Sequence, residues 1–184
     1  PEEEFDQFYH QFANPLLWFI QHNIAEMLLP PRPKSLVVRL IRHFVYRERL
    51  DELSSLFTPE VLTAYEGYKS VNRRFAWAVM EAIGELKEAK VMVQDYQFYL
   101  LPAYLRELGI RSVLSHFTHV YWPLPAYLMR VFASSQARVI LKELLEGILG
   151  VDVASFQDHR FATTFLLTCQ MVLGAKVDFT NFTV

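Results

Sequence analysis

Apolar and polar positions alternate along this chain with two periods. From Asn14 to about Leu28 the apolar spacing suits a helix, with Asn14 as N-cap and Pro15 in the first turn. "LPPRPK" (29–34) breaks the pattern, and 35–49, "SLVVRLIRHFVYRER", is amphipathic and basic. A second helix is expected from "TPE" (58–60) to about Leu86, with Thr58 as cap and Pro59 behind it. The period then shortens. "KVMVQDY" (90–96), "SVLSHFTHVYW" (112–122) and "VDVASFQ" (151–157) read as strands. Helical stretches follow each of them, at 97–109, 123–150 and 158–174, and "KVDFTNFTV" reads as a further strand. Strand and helix alternating at this spacing predict an α/β fold, a mostly parallel sheet with helices on both faces.

One stretch resists a purely structural reading. In "FYHQFANPLLWFIQH" (8–22), Leu16, Leu17, Phe19 and Ile20 are core residues by pattern. Tyr9, His10, Asn14 and Trp18 each carry a polar group that needs a partner when buried.

Composition narrows the class. With 184 residues and 52% hydrophobic content the chain suits one globular domain. A formal charge of −2 supplies no attraction to nucleic acid or to an anionic membrane surface, so neither is expected as a partner. No apolar run approaches the roughly 20 residues that cross a bilayer. "PEEEFDQ" is acidic where a signal peptide would be basic, and the start reads as mid-domain sequence. A lone cysteine, Cys169, suits a reducing compartment, most simply the cytoplasm.

In open parallel sheets, ligands sit beyond the carboxyl ends of the strands. Those ends carry Gln94 and Asp95, then His119, then Gln157. An Asp, a His and a Gln at one rim suit a polyhydroxylated ligand, although each alone also serves as a helix cap or loop partner. His116 and His119, three apart on a strand, face opposite sides and do not share a metal ion without a bulge. Neither Cys-x-x-Cys nor His-Glu-x-x-His spacing occurs, and no metal or cofactor is expected. Cys169 lies in "FLLTCQMVLG" and reads as core rather than nucleophile. The six glycines form no Gly-rich phosphate loop, so any nucleotide-phosphate site here is incomplete or built otherwise. The basic stretch 35–49 reads as a solvated surface helix.

Five stretches occur in an order that carries a resemblance: "FYHQFANPLLW", "VNRRFAWAV", "VMVQDYQFYLLP", "SHFTHVYWPLP" and "DVASFQDHRFATTFLLTC". Together they resemble the trehalose-6-phosphate synthase family of retaining glycosyltransferases. The resemblance covers nearly the whole chain apart from 30–57, which reads as a helical insertion. It implies a single, partial N-terminal domain over 1–184, Rossmann-like, from a GT-B type enzyme whose two such domains face a cleft. It also implies transfer of glucose from a nucleoside-diphosphate glucose to glucose 6-phosphate with retention. Carried over by position, Tyr9 and Trp18 are expected to contact the acceptor sugar, Asp95 to hold its hydroxyls, and His119 to touch the donor glucose. Gln157 is a supporting position. Only the acceptor half-site is expected in this chain, with a C-terminal Rossmann domain or a homo-oligomer completing it.

The match is imperfect at known places. Tyr121 stands for the proline of H-I-P, Ser155 and Asp158 for the glycine and threonine of G-F-Q-T, and Gln94 and Gln97 for histidines. Two other readings follow from these departures. One is a non-catalytic regulatory or scaffold relative. The other is a related transferase with a different acceptor, such as glucosylglycerol-phosphate formation or pseudo-glycosidic cyclitol coupling.

Overall fold

A computed structural model describes residues 2–29, 52–84, 86 and 89–184. Most of the insertion, including the basic stretch 35–49, lies outside the described residues. The first helix, α1, runs through three contiguous segments: Glu2–Phe5, a wide π-type stretch Asp6–Leu17, and Trp18–Gln21. The sequence pattern placed the start of this helix at Asn14; it begins twelve residues earlier (14 − 2 = 12). Burial is the reason. Phe8 and Phe12 pack against Tyr68 at ring separations of 5.7 and 5.0 Å, and this contact carries the helix upstream of the expected cap. Pro15 therefore lies inside the helix, in the wide stretch, where the Trp18 amide reaches back to the Ala13 carbonyl.

Helix α2, Pro59–Ile83, starts as expected: Thr58 Oγ1 accepts a bond from the Val61 amide at 3.4 Å, with Pro59 in the first turn. Strand β1 is Lys90–Gln94, followed by a tight turn, Tyr96–Phe98, and helix α3, Leu101–Glu107. Strand β2, Val113–Thr118, leads into α4, Pro125–Val131, and α5, Ser135–Ile148. The single helix expected over 123–150 is thus two, because the chain breaks after Val131 and Ser134 caps a fresh helix by accepting from the Ala137 amide. Strand β3, Val153–Phe156, and helix α6, His159–Leu173, complete the order. No strand forms at 176–184. Asp178 instead closes a turn, pairing by backbone with Thr183 and accepting from the Thr180 and Asn181 amides.

The sheet is parallel throughout, in the order β1-β2-β3. Leu114, His116 and Thr118 of β2 alternate onto a buried face; Leu114 packs in a smaller cluster with Val93, Leu101 and Leu105, while helix residues such as Leu141, Leu145 and Phe165 form the main core. The register sets Gln94 beside Phe117 and Thr118 beside Phe156, so the three carboxyl ends finish level with one another. Among the described residues no helix is long and apolar enough to cross a membrane.

Candidate functional site

The turn after β1 is the most tightly determined segment of the rim. Asp95 adopts φ 64° and ψ 178°, a conformation that is essentially reserved for glycine. Its neighbours hold it there. The Asp95 amide donates to the Phe117 carbonyl at 2.9 Å, and its carbonyl accepts from the Phe98 amide at 3.2 Å and from His116 Nε2 at 3.1 Å.

From the other side, α2 grips the same turn with two buried polar residues. The Tyr68 phenol donates to the Tyr96 carbonyl at 2.7 Å and accepts from the Tyr99 amide at 3.1 Å. Asn72 Nδ2 donates to the Gln97 carbonyl at 3.1 Å. Helix α1 adds Asn14, whose Oδ1 accepts from the Tyr96 phenol at 2.9 Å, and Gln21, which bonds the buried Tyr99 phenol. Asn14 is therefore a partner of this turn rather than the helix cap its sequence context suggested.

The Asp95 carboxylate points along the rim. Its Oδ1 accepts from the His119 backbone amide at 3.3 Å, and its Oδ2 has no partner among the described residues. His119 sits just past the end of β2, exposed, with Nε2 donating to Gln94 Oε1 at 3.0 Å and its ring 4.6 Å from Phe117. The pair thus offers an open carboxylate oxygen and a solvent-facing imidazole within one hydrogen-bonded unit. His116, three residues earlier, is buried on the opposite side. Burial pushes its imidazole down to about 4, against a smaller opposing push from its bond to the Asp95 carbonyl. Among the described residues no group of three His, Cys, Asp or Glu side chains is placed to hold a metal ion.

The other expected residues border this unit to different degrees. Tyr9 stacks on Phe5 at 5.6 Å and lies near Tyr96. Burial raises the Tyr96 phenol above its usual range, with Asp95 and Tyr9 adding to the shift, so these three residues share one electrostatic neighbourhood. Trp18 lies farther along α1, its ring 4.1 Å from His22, and His22 in turn meets Tyr121 at 5.9 Å. Tyr121 continues to Phe161 at 5.2 Å, so the residue standing in place of proline belongs to an aromatic row beside the rim. Gln157 is exposed one position past β3 and makes no hydrogen bond to Asp95 or His119 among the described residues. The register alone brings it level with His119.

Asp158 acquires a role that its sequence context did not suggest, while Cys169 is core, as its context indicated. Asp158 caps α6, its Oδ1 accepting from the Arg160 amide at 2.8 Å and from Arg160 Nε at 3.0 Å. Bonding by the Arg160 side chain and then by its backbone holds this carboxyl down at about 2, so its charge is paired with Arg160. Cys169 is buried in α6, and desolvation raises its thiol to about 12, which leaves it unreactive core. His22, His116, Asn72 and Gln21 were not recognised from the sequence as parts of this region. Polar residues at 21 and 72 interrupt otherwise apolar helix faces, and that interruption was the available signal.

The profile described as glycosyltransferase family 20 matches residues 41–183. A probable UDP-forming alpha,alpha-trehalose-phosphate synthase 3 of Arabidopsis thaliana is 27% identical over 175 residues, covering 95% of this chain and 18% of that protein. A trehalose-6-phosphate synthase of Mycobacterium avium (strain 104) is 29% identical over 170 residues, covering 92% of this chain and 27% of that protein. In fold, the chain resembles an alpha,alpha-trehalose-phosphate synthase (UDP-forming) of Burkholderia xenovorans in complex with glucose-6-phosphate. That likeness has a TM-score of 0.64 at 21% identity, over 92% of this chain and 28% of that one. The chain therefore spans less than a third of the relatives it matches, and the resemblance read from its five motifs is borne out.

Proposed function

Because this chain belongs to glycosyltransferase family 20, we propose that it supplies the acceptor side of a trehalose-6-phosphate synthase-like transferase. In this reading, glucose passes from a nucleoside-diphosphate glucose to glucose 6-phosphate, with retention at the anomeric carbon. One observation carries it: a carboxylate residue held at φ 64° and ψ 178°, at the carboxyl end of a parallel strand, with Oδ2 open. Strain of this kind persists where surrounding structure over-determines it, and such places concentrate at functional sites.

The chemistry follows from the groups present. Asp95 Oδ2 accepts hydrogen bonds from the acceptor's hydroxyls, while Oδ1 stays tied to the His119 amide. His119 faces the donor glucose and stabilises charge that develops as the glycosidic bond to the leaving phosphate lengthens. The leaving phosphate takes the acceptor's proton. Asp95 is a positioning group for the acceptor rather than a nucleophile, because a front-face transfer needs none of the paired-carboxylate chemistry of retaining glycosidases. Tyr9 and Trp18 give aromatic surface for sugar C–H faces, and Gln157 extends the polar rim. A second Rossmann-like domain facing this rim, or a second copy of the chain, completes the cleft. The buried, unreactive Cys169 suits a cytoplasmic enzyme.

Calorimetric titration of glucose 6-phosphate into the protein, beside Asp95→Asn and Trp18→Ala, tests the reading. Saturable binding that is lost in both variants is the expected result. Binding unchanged in Asp95→Asn overturns it. A second reading, a different acceptor, is favoured by Tyr121, whose ring occupies the row between His22 and Phe161. A panel of sugar phosphates, glycerol phosphate and cyclitol phosphates separates the two, since strict preference for glucose 6-phosphate removes the second.

A further inference from the structure

We infer that His116 is a positioning residue, which clamps the Asp95 carbonyl from beneath the sheet and so sets the direction of the Asp95 carboxylate at the rim. The inference rests on the acceptor role given to Asp95 above. His116 is 1% exposed and sits on the buried face of β2, two positions from the fully buried Leu114. An apolar side chain there would pack without the desolvation cost of an imidazole. What the imidazole adds is a hydrogen bond to a peptide that needs holding. Its Nε2 lies 3.1 Å from the Asp95 carbonyl oxygen, its Nδ1 lies 3.4 Å from Thr118 Oγ1, and its ring packs 5.3 Å from that of Tyr99.

The donor and acceptor roles are fixed by chemistry. A carbonyl only accepts, so Nε2 carries the proton, and Nδ1 accepts from the Thr118 hydroxyl. Burial keeps the ring neutral at ordinary pH, so this tautomer persists. The orientation of the Asp95 carbonyl is what ψ measures, and ψ of 178° with φ of 64° is the costly combination. His116 therefore acts directly on the dihedral that an aspartate would otherwise relax. Relaxation would swing the carboxylate away from the His119 amide and turn Oδ2 off the rim.

Two variants separate this from simple packing. His116→Leu fills the space without a donor, and His116→Gln restores one. In the full-length protein, long-range ¹H–¹⁵N correlation is expected to find His116 protonated on Nε2 alone. The Asp95 amide resonance is expected to move in His116→Leu and to return towards its original position in His116→Gln. Affinity for glucose 6-phosphate is expected to fall about 10-fold or more in His116→Leu, since small misplacements of a positioning group cost that much, with far-UV circular dichroism unchanged. A proton on Nδ1, or an Asp95 resonance indifferent to His116→Leu, overturns the clamp. So does normal binding in His116→Leu while Asp95→Asn binds nothing. If the unaltered protein binds no glucose 6-phosphate, the acceptor reading fails, and the tautomer and the Asp95 resonance still decide the clamp. Should His116→Leu not fold, the tautomer of the unaltered protein and the His116→Gln spectrum decide it.

Discussion

Replacing Asp95 by glycine and, separately, by alanine measures how much strain the rim stores. Both changes remove the carboxylate and its bond from the His119 amide, so that loss cancels between them. What differs is the backbone. At φ 64° and ψ 178° a residue with a Cβ carries roughly 1–3 kcal/mol of strain that glycine does not. Glycine loses about 0.5–1 kcal/mol of this advantage through the greater freedom of its unfolded chain. Asp95→Gly should therefore be more stable than Asp95→Ala by about 0.5–2 kcal/mol. At about 2–4 °C per kcal/mol for a domain of this size, its melting temperature should lie roughly 1–8 °C higher. At an ordinary extended position the order is reversed, with alanine the more stable by about 0.4–1 kcal/mol. Urea and thermal unfolding of the two variants read the difference. Alanine equal to or above glycine would refute the strain, and with it the main support for a functional Asp95.

Further outcomes follow from the supports of the same turn and from the cap of α6. Tyr68→Phe deprives the buried Tyr96 carbonyl and Tyr99 amide of their shared partner, which should cost about 2–4 kcal/mol of stability in urea unfolding. A loss well below 1 kcal/mol would show that the turn finds other partners. Asp158 titrates at about 2 in the folded chain against an ordinary 3.8, so the stability it contributes is complete above 3.8 and is lost as pH falls towards 2. Asp158→Asn keeps a capping oxygen but removes that titration, so its melting temperature should decline less steeply across the same window. Parallel curves for the two proteins would exclude the linkage.

Periodicity alone established the class of this fold. The three strand runs, the cap at Thr58, and the βαβ spacing are local properties, set by which side chains satisfy nearby amides and which alternate in polarity. Asp95 and His119 were legible as rim residues for the same reason, because a parallel strand delivers whatever follows it to one edge of the sheet. The five ordered motifs placed the family.

What lay beyond the sequence was every property that depends on a distant partner. Asn14 has the local context of a helix cap, yet Phe8 and Phe12 found Tyr65 and Tyr68 on another helix and carried the helix past it. Asp178 and Thr183 belong to a run that reads as a strand, but they close a turn instead of joining the sheet. The strain at Asp95 is the clearest case. No property of "VQDYQ" demands a glycine-like backbone, and an aspartate there would choose an ordinary conformation if the turn were free. Tyr68 and Asn72 come from 27 and 23 residues upstream (95 − 68 = 27, 95 − 72 = 23), and His116 from 21 residues downstream. Only their convergence after folding over-determines the turn, and it is that convergence which turns a carboxylate at a strand end into an oriented one.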